Sequence, residues 1–441
     1  MRLTNVAQME LAAGRVFSYA VDVAPQPGRA LPISFDQGRH VGEGQRPGSW
    51  MAFAFRLVAP ASLRDAGAAW DAVVARHGTL RSVFSHDERG TLRLHGVTCG
   101  PGMWREHPVA PGQPTRDVLR AALDAGCAPF SSPSHRLCVV EPPPEADDRR
   151  PEVVIAADHA HVDMWSLVIL ARDFVACLND LRAARQPGAG LPDAPPFSEH
   201  TAELKAIGPA PDDVVQRWAQ IIEQGGGGLP VFPLPLGQLD PRPAEVVEVR
   251  DVLDAEGTER LSAIAQTAGV RLLALGVSVL TEVTQRLSGQ PLRAVFPVHS
   301  RSEPRWREAV GWFITNAVLE SSDPSPSACA GAVRESIELG SWPLGPIFEP
   351  HGRVPSPPGL FAVSWLDVRR LPVPVAHASQ LRYVSAAIRT DGVMIWFLVN
   401  DSGLHLRCRY PDTPQAREHV GRWLDAVEEG IRALGGHPAA A

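Results

Sequence analysis

The run Val153-Val154-Ile155-Ala156-Ala157 leads without a break into Asp158-His159-Ala160-His161-Val162-Asp163, and this join constrains the fold more than any other stretch. The apolar run predicts a strand. A helix is expected from near Trp165, because Leu167, Leu170, Ala171, Phe174, Leu178 and Leu181 recur on one face. Strand, polar turn, helix is the arrangement that displays functional side chains at a strand's end.

The same alternation extends in both directions. Trp50 to Val58 reads as a strand bounded by Gly48 and Pro60, and Ser62 to His77 as a helix with Ser62 as N-cap. Leu80 to Phe84 and Thr91 to His95 read as paired strands, and Leu137 to Val140 as another. From Ala184 to about Asp212 the composition shifts to Pro, Gly and Ala, with a short helical piece from Glu199 to Lys205. A second weak point, Gly225 to Gly228 followed by Pro230, Pro233 and Pro235, places a domain boundary in this region. Beyond it the pattern resumes. Val246 to Val249 is a strand, Thr258 to Thr267 a helix, Val270 to Leu287 a buried helix apolar nearly all round, and Arg293 to Val298 a strand ending in His299-Ser300-Arg301. Strands at Phe361–Trp365, Val393–Val399 and Leu404–Tyr410 and a helix from about Thr413 to Leu434 complete it. The expected organisation is an α/β chain with residues 1–183 as one lobe, 184–245 as linker and connecting helices, and 246–441 as a second lobe.

At 441 residues, two domains or one pseudo-duplicated unit is the natural size. Hydrophobic residues at 44% and charged residues at 21% fit a globular protein. A net charge of −7 argues against general affinity for nucleic acid or anionic membrane. Cys99, Cys127, Cys138, Cys177, Cys329 and Cys408 are scattered without a C-x-x-C pair, so neither a disulfide framework nor a zinc cluster is expected. No leader-like apolar segment or 18-residue apolar stretch occurs, so a cytoplasmic protein with no membrane span is expected.

Two chemical readings of the Asp158–Asp163 turn stand side by side. A neutral imidazole at His159, with an ordinary pKa near ~6.5, accepts a proton from an attacking hydroxyl or amine. Asp163 then pins the turn by pairing with an arginine, for which Arg81 and Arg301 are the candidates. Alternatively, His159, His161 and Asp163, spaced two apart, converge on a metal ion in a zinc hydrolase. A bland reading also exists, with Asp163 as helix N-cap and His159 as a hydrogen-bonded turn residue.

The turn resembles the His-His-x-x-x-Asp-Gly motif of the condensation-domain superfamily, which includes nonribosomal peptide synthetase condensation domains, polyketide-associated acyltransferases and chloramphenicol acetyltransferase. Ser34-Phe35-Asp36-Gln37-Gly38-Arg39 is similar to the family's opening Ser-x-x-Gln-x-Arg pattern, and Arg76-His77-Gly78-Thr79-Leu80-Arg81-Ser82-Val83-Phe84 to its Arg-His-x-x-Leu-Arg-Thr-x-Phe. Arg301 followed by Val310-Gly311-Trp312-Phe313 resembles the arginine-then-Val-Gly-x-Phe segment, and Tyr410-Pro411-Asp412-Thr413 sits where the closing motif falls. The wording around Arg305-Trp306 and Trp312 is most similar to the polyketide-associated acyltransferases.

This resemblance implies two chloramphenicol-acetyltransferase-like lobes forming a V-shaped pseudo-dimer, with a tunnel to a site at their junction. It implies His159 as catalytic base, Asp163, Arg81 and Arg301 as structural residues, and no metal or organic cofactor. Asp158, His161, Met164, Ser166, Trp312 and Asn316 are candidates to line the tunnel, Trp312 and Trp365 also reading as core aromatics. Arg301, Arg305 and Arg307 are candidates to meet a phosphopantetheine or coenzyme A phosphate. Asp158 replaces the first histidine and Met164 the glycine. The implied partners are an acyl- or peptidyl-carrier protein on a separate chain, or acyl-coenzyme A, with an alcohol or amine as acceptor. A catalytically degenerate scaffold that binds a carrier protein is the alternative from another class.

Overall fold

The computed structural model describes residues 1–349, 356–371, 373, 375 and 377–436, leaving aside the side chains of 27–29. It divides into two compact units. Unit one is Met1–Ala206 with residues 301–314 and 371–387, and unit two is residues 207–300, 315–370 and 388–441.

Among the described residues, eight strands form the sheet of unit one: β1 (Arg2–Asn5), β2 (Arg15–Leu31), β3 (Trp50–Leu57), β4 (Ser82–His86), β5 (Leu92–His107), β6 (His135–Glu141), β7 (Glu152–Asp158) and, from far along the chain, β12 (Ala378–Ser385). Their order is β1-β12-β3-β7-β6-β2-β5-β4. β12 pairs parallel to β1 and antiparallel to β3, and β3 runs antiparallel to β7 with Trp50 opposite Asp158. Unit two carries β8 (Glu245–Asp254), β9 (Leu292–His299), β10 (Ile314–Ser321), β11 (Phe361–Asp367), β13 (Val393–Asn400) and β14 (Gly403–Pro411) in the order β10-β9-β11-β13-β14-β8.

The helices are α1 (Phe35–Gly42), α2 (Leu63–Arg76), α3 (Thr115–Gly126), α4 (Met164–Arg182) and α5 (Phe197–Ala206) in unit one. Unit two holds α6 (Asp212–Gln224), α7 (Ala255–Thr267), α8 (Leu272–Ser288), α9 (Pro326–Leu339), α10 (Leu344–Phe348) and α11 (Pro414–Leu434). Among the described residues, no single helix is long and apolar enough to cross a membrane.

Two of these elements position the site. Every residue of β7 is buried, as suits a central strand without polar alternation. α4 packs against α2, β3 and β7 through the apolar face expected for it. Midway along α4, Asp173 is fully buried and accepts from Arg76 (2.9 Å), Arg172 (2.7 Å) and the His77 ring (2.8 Å), locking α2 to α4. The Arg76-His77 pair thus has a packing role here.

The contiguous 1–183, 184–245, 246–441 division does not anticipate that residues 301–314 and 371–387 join unit one. Both segments come from the second half of the chain, and only long-range pairing (β12 on β1 and β3) draws the latter in.

Candidate active site

β7 delivers the chain to the turn, and the sheet ladder continues one residue beyond it. Asp158 N–H donates to the Ser134 carbonyl (2.8 Å) and His159 N–H to that of Ser49 (3.0 Å), fixing the backbone that carries the imidazole. The turn itself is tight, with His161 N–H donating back to the Asp158 carbonyl at 2.9 Å. Gln37, from the Ser-x-x-Gln-x-Arg segment, donates its side-chain amide to the Ala160 carbonyl at 2.8 Å. α1, which carries Gln37, is started by a capping box on Ser34.

His159 is half-buried, with Nδ1 2.9 Å from the Val162 carbonyl oxygen. A carbonyl only accepts, so Nδ1 carries the hydrogen and the neutral ring presents its lone pair on Nε2. Burial, followed by the neighbouring His40, pushes the imidazole down to about 4, so the neutral form prevails at neutral pH. One face of the ring lies on the Trp312 indole, with centroids 3.9 Å apart and planes 17° from parallel.

Asp163 is the N-cap of α4, its carboxylate accepting from Ser166 N–H at 2.7 Å. It also takes a two-pronged contact from Arg301 (Nη1 2.6 Å, Nη2 3.0 Å) and a bond from Phe313 N–H at 3.1 Å. Arg301 is buried, its guanidinium 4.1 Å from the Phe313 ring centroid and 5.1 Å from that of Trp165. Burial works against the Asp163 charge, yet Arg301 and the Ser166 N–H hold it below the usual carboxylate range. The capping role and the arginine pairing, alternatives in the sequence, are both present.

Several sequence-based expectations are corrected. Asp163 takes Arg301, and among the described residues no ion pair joins it to Arg81. Asp158, His161 and Ser166 are buried in the packed body of unit one and present no open lining surface. The Ser166 hydroxyl donates to the Gly311 carbonyl (2.9 Å) and accepts from Gly311 N–H (3.0 Å) and Arg301 (2.8 Å), so its bonding capacity is spent. His161 packs against Phe84 at 5.4 Å between ring centroids. Arg301 is committed to Asp163, and Arg305 sits exposed between Glu303 and Glu203, so these two form no phosphate cradle. Met164 is half-buried and opens α4, its carbonyl accepting from the Tyr383 hydroxyl at 3.1 Å. Asn316 lies half-buried on β10 in unit two, and Trp365 stacks on Phe397 at 5.1 Å. His159, His161 and Asp163 do not gather into a metal-ligating group among the described residues; the Asp163 oxygens face Arg301 instead.

Sequence reasoning missed His40 and Arg46. His40 Nε2 lies 3.1 and 3.2 Å from the two Asp158 oxygens, and its Nδ1 is 3.0 Å from Arg46 Nη2. A guanidinium only donates, so Nδ1 accepts and Nε2–H donates to Asp158. Burial opposes the Asp158 charge, but the hydrogen bond from His40 holds it below its ordinary range. The carboxylate standing where the resembling motif has a histidine thus has a partner from α1. Neither residue falls in a spacing pattern that marks it.

The fold and the site together define a chloramphenicol-acetyltransferase-like α/β protein with a turn-borne imidazole and a buried arginine–aspartate pair. No family model matches the chain. The acyltransferase PapA3 of Mycobacterium tuberculosis is 23% identical over 423 residues, spanning 90% of this chain and 88% of the relative. Of solved structures, a PapA2 acyl transferase superposes with a TM-score of 0.84 at 19% identity, covering 99% of this chain and 100% of that one. The first condensation domain of the calcium-dependent antibiotic synthetase gives a TM-score of 0.70 at 13% identity, covering 94% and 98%. The chain thus has the fold of these condensation-domain proteins and is similar over nine-tenths of its length to a named acyltransferase.

Proposed function

We propose that His159 is the general base in transfer of an acyl group from a thioester to a hydroxyl or amine. The donor is a carrier protein's phosphopantetheine arm or coenzyme A, in specialised-metabolite or lipid biosynthesis. The observation that carries this is the fixed tautomer: the Val162 carbonyl occupies Nδ1–H and leaves the lone pair on Nε2 of a neutral ring. Nε2 takes the acceptor's proton as its oxygen or nitrogen attacks the thioester carbonyl. The tetrahedral intermediate then expels the thiolate, which receives that proton from His159. Asp163 and Arg301 hold the turn and the 311–313 loop in place around the ring.

The test is intact-mass detection of product from a panel of acyl thioesters and alcohol or amine acceptors. With a productive pair in hand, His159→Ala should lower turnover roughly 10²–10⁴-fold. A variant as active as the parent would remove the base assignment and leave a binding scaffold.

A further inference from the structure

Trp312 sits at the crossing of the two hydrogen-bonded networks around His159. Its flanking backbone is pinned from the Asp163 side, where Ser166 holds both the N–H and the carbonyl of Gly311 and Asp163 accepts from Phe313 N–H. On the other side His40 meets the indole edge-on, with centroids 5.3 Å apart, and His40 is itself fixed between Asp158 and Arg46. The local packing leaves little slack. A Cβ on Gly311 would lie 2.3 Å from Cγ of Phe197.

We infer that Trp312 is the positioning residue of His159, its indole fixing the plane of the imidazole and shielding one ring face from water. The inference rests on the reading of His159 as base and adds what aims it. A histidine tethered only through Nδ1 retains freedom to tilt about that bond, whereas a ring pressed flat against an immobilised indole does not. Holding a reacting group within a near-attack geometry is worth large factors in rate. The indole face is also electron-rich, so it tolerates the imidazolium that forms while the proton is in transit. On this account Asp158, through His40, steadies the far edge of the same stack. That gives the departure from the family's first histidine a mechanical role.

Removing the indole exposes the imidazole, so its titration should move. The ionisable groups facing His159 are Asp158 from its own turn and His40, with Arg46 behind it, from α1 and the segment after it. His40 also meets the indole, but its bonds to Asp158 and Arg46 do not involve Trp312. The experiment is a ¹⁵N-histidine NMR pH titration of the parent, Trp312→Phe, Trp312→Leu and Trp312→Ala proteins without substrate, with His159→Ala assigning the resonance. The parent should titrate at about 4. Trp312→Phe should stay close to it, and Trp312→Leu and Trp312→Ala should rise towards the free-imidazole value near ~6.5. In the acyl-transfer assay the acid limb should follow, with kcat down roughly 10- to 100-fold and KM within about threefold. If Trp312→Ala does not fold, Trp312→Leu, which fills the space without a ring, carries the test. Parental titration in the non-aromatic variants overturns the inference. A shifted titration alongside an unimpaired His159→Ala enzyme upholds the stack and discards the base.

Discussion

Cutting the Arg301–Asp163 pair on one side should cost far more than replacing it on both. Asp163 is 1% exposed and has four donors, two from Arg301 and two from the backbone of Ser166 and Phe313. Arg301→Ala leaves a buried carboxylate with two N–H groups and no counter-charge. Hydrogen bonds to charged groups are worth about 1.5–3 kcal/mol each, and unpairing a buried ion typically costs about 3–5 kcal/mol. For a domain of about 150–250 residues, 1 kcal/mol moves Tm by about 2–4 °C. The expected drop is therefore ~6–20 °C in the calorimetric transition that reports unit one. Adding Asp163→Asn to that variant removes the stranded charge and should return at least ~1 kcal/mol, so the double variant melts above the single. Arg301→Lys keeps the charge but loses the fork, and should fall between parent and Ala. A single variant that melts within ~2 °C of the parent, or a double variant no better than the single, would refute this account of the pair.

Two further outcomes follow from packing and titration. Gly311→Ala should destabilise by about 1–3 kcal/mol, since its Cβ runs into the Phe197 ring; adding Phe197→Leu should recover part of the loss in the same melting assay. His135 is buried and driven down to about 3 chiefly by burial, with His77, His159 and His161 shifted the same way. Below ~6.5 the unfolded chain takes up protons that these folded histidines refuse, so stability is full above that pH and falls as it drops. The buried Asp158, Asp163 and Asp173 lose their contribution only at lower pH, below ~3.9. Urea midpoints measured from pH 7 to 4 should therefore decline already above pH 4, and His135→Phe should flatten the slope by up to ~1.4 kcal/mol per pH unit. An unchanged slope would mean that His135 is charged in the folded protein.

What the sequence made legible was local. β3, β7, α2, α4, α8 and α11 fall close to where apolar periodicity and caps place them, with Ser62 and Thr413 acting as N-caps. β2 did not declare itself, because Pro25 and register shifts at Ala20/Asp22 and Pro25/Ala30 break its alternation. β1 and β12 were invisible for another reason. Each becomes a strand through a partner more than 300 residues away in the chain. At the site, His159 and Asp163 stood in one short motif and could be read, and Arg301 followed from the resemblance. His40, Arg46 and the Trp312 stack depend on which side chains meet once the sheet, α1 and the 311–313 loop are assembled, and no spacing encodes that.

The late strand β12 sets a schedule for biosynthesis. Residues 50–57, rich in aromatic and apolar side chains, are flanked on one side by β12, whose last residue emerges more than 300 positions later. At ~5–20 residues per second, a ribosome leaves that edge uncovered for tens of seconds. Until then the nascent chain carries an unpaired apolar strand, the kind of template on which other chains add. The aspartate at position 163 likewise waits for an arginine at 301. A fragment ending at residue 206 should therefore be sticky and inert, because it lacks both the strand that covers residues 50–57 and the arginine that pairs with Asp163.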